Sequence, residues 1–186
     1  MKFNELNLSG AYLIELEKKG DNRGWFSRYY CENEYKEFGL DTNIVQANVS
    51  YNEKLGTLRG LHFQRPPKAE VKIVRCLHGA IWDVIVDIRK SSGTFGKWFG
   101  QELNEDNRLM MYVPKGFAHG FITLSDFTEI LYLHTEFYDP ALEDGINYND
   151  KSLDIDWPID IKIVSKRDKY LGPLSVKKIL NELPTL

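Results

Sequence analysis

Apolar runs of five to eight residues recur along the chain, separated by segments rich in Gly, Asn, Asp and Pro. VKIVRCL (71–77) alternates and is β-branched, and His78-Gly79 breaks it. AIWDVIVDIR (80–89) puts Trp82, Val84, Val86 and Ile88 on one face, and Asp83 and Asp87 with Ile81 and Ile85 on the other. SSGTFG (91–96) reads as a turn. LMMYV (109–113) stops at PKG (114–116), and GFITL (120–124) and EILYLHTEF (129–137) follow. This rhythm predicts an all-β sandwich or barrel. Helix signals are few: CENEYKEFG (31–39) predicts a short helix that stops at Gly39, and SVKKILNEL (175–183) a second. No repeat, low-complexity tract or composition break divides the chain, so residues 1–186 read as one domain. The tail after Trp157-Pro158 is expected to wrap onto the main body.

Composition narrows the function classes. A chain of 186 residues suffices for a sizeable core. A formal charge of -3 gives no reason to expect nucleic acid or an anionic membrane as partner. No apolar run approaches the length of a membrane span, and MKFNELNLSG lacks the pattern of a signal peptide. Cys31 and Cys76 form neither a disulfide framework nor a zinc spacing, so a reduced, cytoplasmic setting is expected.

Four histidines are the first candidates for chemistry: His62, His78, His119 and His134. No H-x-H occurs, so the sequence offers little for a metal and none is expected. If Leu58 to Gln64 is a strand, parity groups His62 with Leu58, Gly60 and Gln64, and turns Arg59, Leu61 and Phe63 the other way. Gly60 then leaves space beside the histidine for a ligand. His62 is either a core histidine satisfied by a hydrogen bond or a base facing a pocket, and the strand alone favours the first. Lys72 shares a face with Val74 and Cys76. It is either an edge lysine with its head in solvent or a partnered lysine in a cavity. Tyr132 shares a face with Ile130 and His134, where a core or rim tyrosine is the simpler reading. PKGFAHGF (114–121) reads as a glycine-rich turn holding His119. Two histidines, each beside glycines, point to a shared pocket. In DNRGWF (21–26), Arg23 stands beside Trp25 and Phe26. That set suits an anion and a stacked ring, although a solvated turn is the simpler reading. Taken together, these residues suggest a polar pocket for an anionic ligand.

DNRGWF, QANVS, LRGLHFQ, VKIVRCLHGAIWDVIVDIRKSSGTFGKW, VPKGFAHGF, LYLHTEFYDP and LDIDWP occur in one order and spacing. In these segments the chain resembles the dTDP-4-dehydrorhamnose 3,5-epimerase family, from about residue 10 to about residue 170. The resemblance implies a cupin-like jelly roll (a double-stranded β-helix) with a few short helices. It implies an isomerase that needs no metal or organic cofactor, and a homodimer to which the partner's N-terminal region contributes. The implied substrate is a nucleotide-linked 4-keto sugar, inverted at C3 and C5. By motif, His62 is the expected general base, Tyr132 the acid, Lys72 the group near the ketone oxygen and Asp168 the partner that orients His62. Arg23, Gln46, Asn48, Arg59, His119, Glu143 and Arg167 match substrate contacts, and Tyr138 the aromatic that stacks on the nucleobase. Phe26, Arg28 and Ala47 fall at further substrate-binding positions. Arg28 stands where the family usually has glutamate. QANVS replaces the commoner QDNHS, so Ala47 offers only its backbone. Alternatives are a one-centre epimerase on a related nucleotide 4-keto sugar, a catalytically silent sugar-nucleotide-binding cupin, and a metal-dependent cupin enzyme.

Overall fold

The computed structural model describes residues 1–176. In chain order the elements are β1 (Lys2–Glu5), β2 (Tyr12–Glu15), β3 (Lys19–Asp21), β4 (Gly24–Phe26), α1 (Glu32–Glu37), β5 (Gln46–Asn52), β6 (Thr57–Gln64), β7 (Lys72–His78) and β8 (Ala80–Asp87). They continue with β9 (Trp98–Asn104), β10 (Met110–Val113), β11 (Phe117–Thr123), β12 (Thr128–His134), β13 (Glu143–Gly145), β14 (Ile163–Val164) and α2 (Lys166–Lys169). One sheet runs β1-β2-β10-β7-β12-β5 and the other β13-β6-β11-β8-β9, while β3 and β4 form a separate hairpin. Every ladder is antiparallel except β14, which runs parallel to the start of β6. The two large sheets pack face to face as a cupin-like jelly roll.

Three apolar layers hold this arrangement. Val74, Cys76, Met111, Val113 and Ile130 of the first sheet meet Ile81, Ile85, Phe117 and Phe121 of the second. The outer face of the second sheet carries Leu61, Phe63, Val84, Val86, Ile88 and Ala118, and the returning tail covers it with Ile146, Leu153 and Leu174. The outer face of the first sheet carries Ile14, Ile73, Met110 and Tyr112, and Tyr35 of α1 with Leu40 covers it. Because both faces of β8 are buried, its apolar residues do not alternate cleanly with polar ones. The helix expected at 31–39 forms as α1 and ends before Gly39, whose φ is +68°. In the second expected helix, Leu174–Val176 form one 3₁₀ turn, and the remainder lies outside the described residues. The tail after Pro158 does return to the main body, through β14 and α2.

Three expectations are corrected here. His119 is not in a turn. The turn closes at Gly116, whose φ is +80°, and His119 sits within β11, where Gly120 serves the strand. A Cβ on Gly120 would lie 2.7 Å from the Arg59 carbonyl oxygen. The parity assigned to β6 also fails. His62 lies opposite His119 and Arg59 opposite Phe121, with the register shifting between them. Gly60 and Leu61 therefore face the single residue Gly120, which makes a β-bulge and turns both Arg59 and His62 to the same side. Nor does Gly60 leave room for a ligand. A Cβ there would lie 2.6 Å from Gly120 Cα and 2.8 Å from the His119 carbonyl oxygen, and its φ is +117°. Glycine is required by backbone approach and by a conformation that other residues resist. Gly60→Ala is expected to lower stability by about 1–3 kcal/mol. Urea unfolding measures this, and an unchanged midpoint would contradict the role given to the bulge.

Candidate active site

A cavity of about 610 Å³ opens between the sheets at the end where β5, β6, β7, β11 and β12 present polar side chains. His62 comes from β6, Lys72 from β7, His119 from β11, and Tyr132 and His134 from β12. Asp168 enters from α2, 106 residues beyond His62. The Ser165 hydroxyl caps this short helix by accepting from the Asp168 N–H at 3.0 Å.

His62 Nε2 lies 2.7 Å from Asp168 Oδ1, and the Gly60 N–H donates to Asp168 Oδ2 at 3.3 Å. With Nε2 taken by the carboxylate, Nδ1 is the ring nitrogen left to accept a proton. Burial pushes the Asp168 carboxyl up, but the contacts from His62, Gly60 and Ser165 outweigh it and hold the group below the usual carboxylate range. Across the strand pair, His119 Nε2 lies 2.7 Å from Asp83 Oδ1. Arg59 reaches into the cavity and donates through Nε to Asn52 Oδ1 at 2.7 Å.

Tyr132 stands between two histidines, its ring 6.3 Å from that of His119 and 6.1 Å from that of His134. Its hydroxyl lies 3.1 Å from Ser50 Oγ. Burial pushes the phenol well above its ordinary value, so it holds its proton at neutral pH. Lys72 Nζ lies 3.3 Å from Glu70 Oε1, and His134 Nδ1 lies 2.7 Å from Glu70 Oε2. At the mouth, Glu143 Oε2 accepts from Tyr138 OH and from Arg167, each at 2.6 Å. The Tyr138 N–H donates to Gln46 Oε1 at 3.1 Å.

The cavity lining therefore brings together His62, Lys72, Asp168, Tyr132, Gln46, Asn48, Arg59, His119, Tyr138, Glu143 and Arg167. It does not include Arg23, Phe26, Arg28 or Ala47. Arg23 is exposed at the tip of the β3–β4 hairpin and pairs with Asp21. Phe26 is exposed at the end of β4, and Arg28 pairs with Glu34. Sequence reasoning missed Glu70, Ser50 and Asp83. Glu70 stands two residues before Lys72, so strand parity could have placed both on one face. Asp83 could have been found by the rule that a carboxylate among core residues needs a partner. Among the described residues, no group of three or more His, Cys, Asp or Glu side chains is arranged to hold a metal ion.

The fold and cavity together define a jelly roll with a proton acceptor, a protonated phenol and an ammonium group around one pocket. A family model described as dTDP-4-dehydrorhamnose 3,5-epimerase matches residues 5–175. The dTDP-4-dehydrorhamnose 3,5-epimerase of Escherichia coli K12 is 46% identical over 169 residues, covering 90% of this chain and 91% of its own. The crystal structure of the enzyme of that name from Elizabethkingia anophelis NUHP1 aligns with a TM-score of 0.93 at 41% identity, covering 95% of this chain and 98% of the other. That from Bacillus anthracis str. Ames, with TDP and PPi bound, aligns with a TM-score of 0.89 at 44% identity, covering 92% and 98%. The chain belongs to the dTDP-4-dehydrorhamnose 3,5-epimerase family.

Burial opposes ionisation of Glu70 and Glu143 as well, and in each the hydrogen-bonded partners win and lower the carboxyl. Like Asp168, each binds fewer protons folded than unfolded. Their contribution to stability is complete above the unfolded value of about 3.9–4.3 and is lost as pH falls through the lowered folded value. Asp168→Asn is expected to flatten the acid side of the stability–pH curve. Denaturant midpoints measured from pH 7 to pH 3 check this, and a slope equal to that of the wild type would contradict the assignment.

Proposed function

We propose that the protein converts dTDP-4-dehydro-6-deoxy-D-glucose to dTDP-4-dehydro-L-rhamnose by inverting C3 and C5. The observation that carries this reading is the placement of His62, paired with Asp168, and Tyr132 in one cavity. A hydrogen beside the C4 ketone is acidic because its carbanion delocalises onto oxygen as an enolate. Inversion needs removal from one face and return on the other. His62 takes the proton, and Asp168 holds its tautomer and stabilises the imidazolium. Tyr132, protonated at neutral pH, returns a proton from the opposite face. Lys72 donates to the developing C4 oxyanion. Arg59 and Arg167 suit the diphosphate, and Tyr138 the face of the base. His119, Gln46, Asn48 and Glu143 complete the contacts to the sugar nucleotide.

Arg23, Phe26 and Arg28 act in a homodimer, where the exposed β3–β4 hairpin of one copy and the residues just after it reach the cavity of the other, while Ala47, on β5 between Gln46 and Asn48, offers its backbone. Their exposure in the single chain supports this placement for Arg23 and Phe26. Cys31 and Cys76 are both free thiols, which fits a cytoplasmic enzyme.

The test is product configuration, followed by proton NMR of the sugar nucleotide. Wild type is expected to yield the L-rhamno product. His62→Ala is expected to lose about 100- to 10,000-fold in turnover while keeping its affinity for TDP. Full activity of that variant would contradict the base assignment. Tyr132→Phe is expected to impair inversion more than solvent exchange, and unchanged inversion would remove it from the acid role.

A further inference from the structure

Glu70 and His134 belong to none of the roles assigned above, yet both line the cavity beside Lys72. Lys72 has a flexible four-carbon stem and, from its strand, sits opposite Val113 on one side and His134 on the other. Nothing in the stem itself fixes where its ammonium points. Glu70 lies two residues earlier and turns to the same side, with Oε1 3.3 Å from Nζ. The other carboxylate oxygen is held 2.7 Å from His134 Nδ1. His134 is fixed in turn, since Asn48 Nδ2 lies 3.3 Å from its Nε2. An amide nitrogen only donates, so Nε2 accepts and Nδ1 carries the proton given to Glu70. The side chains of Glu70, Lys72 and His134 are 8%, 13% and 10% exposed, so water competes little for these contacts.

We propose that Glu70, locked by His134, is a positioning residue that aims the Lys72 ammonium into the cavity. In the chain Asn48–His134–Glu70–Lys72, strands β5, β12 and β7 supply Asn48, His134 and Lys72, and Glu70 stands just before β7. An ammonium has three donors. Glu70 engages one, and the others remain for an oxygen of the ligand. This rests on the reading of Lys72 as the donor to the developing oxyanion, and adds what holds it there.

Glu70→Gln removes the charge and keeps the shape. Its kcat is expected to fall roughly 10- to 100-fold, with KM little changed, because a misaimed donor acts on the transition state and not on the nucleotide. Glu70→Asp is expected to recover part of that loss. The ¹⁵N resonance of the Lys72 ammonium, assigned by its absence in Lys72→Met, gives a readout that needs no turnover. It is expected in the wild type and in Glu70→Asp, and lost to fast solvent exchange in Glu70→Gln. Glu70→Gln with wild-type kcat and an intact Lys72 resonance would overturn the proposal, as would a loss confined to KM. If the resonance behaves as expected while the wild type leaves dTDP-4-dehydro-6-deoxy-D-glucose unchanged, the positioning role stands and the substrate reading fails.

Discussion

One carboxylate ties the fold to the chemistry. Asp168 takes both the Gly60 N–H and the His62 ring nitrogen, so the bulge in β6 and the imidazole beside it, the proposed base, are fixed by the same group. The bulge turns His62 and Arg59 to one side, and the close approach of Gly60 to Gly120 leaves no slack in that geometry. The tail must then return across the sheet to deliver α2. Leu153, Leu174 and Ile146 supply the apolar contact that brings it back, and the Asn147 side chain donates to the Lys169 and Leu171 carbonyls at the end of the helix. Apolar burial brings the tail home, and the charged contact sets its register.

The cavity repeats one device three times. His62 with Asp168, His119 with Asp83 and His134 with Glu70 each join an imidazole to a buried carboxylate at 2.7 Å. A carboxylate partner fixes which ring nitrogen carries the proton. In the first pair it leaves a nitrogen free to act as base. In the third, both nitrogens are occupied, and the histidine serves as a strut. Tyr132 sits between the second and third pairs, where desolvation keeps its phenol protonated. The acid and base proposed above thus differ by environment as well as by type, which suits a reaction needing both in one pocket.

Much of this was legible in the sequence. The strand around Val74 followed from its period of two and those around Val84 and Ile130 from apolar runs bounded by turn residues, and Lys72 and Tyr132 lay on the faces that parity gave them. The segment order that resembles the epimerase family led to Asp168, which no local pattern distinguishes. What parity could not reveal was the bulge, because an extra residue in one strand is set by its neighbour and not by its own sequence. The same limit hid His119 within a strand, since glycines that permit close packing look like glycines that make turns. Glu70 and Ser50 were missed for a different reason. Glu70 stands just before β7 and Ser50 within β5; parity could put Glu70 on the face of Lys72, but only cross-strand register shows His134 and Tyr132 as the further partners.

The central claim is proton exchange at two carbons from a single pocket. Incubating the protein with dTDP-4-dehydro-6-deoxy-D-glucose in D₂O and weighing the recovered sugar nucleotide tests it directly. Two enzyme-dependent deuterons, one at C3 and one at C5, are the predicted result. A single deuteron would make this a one-centre epimerase, and none, from folded protein that still binds TDP, would contradict the assignment of His62 as a base toward this sugar.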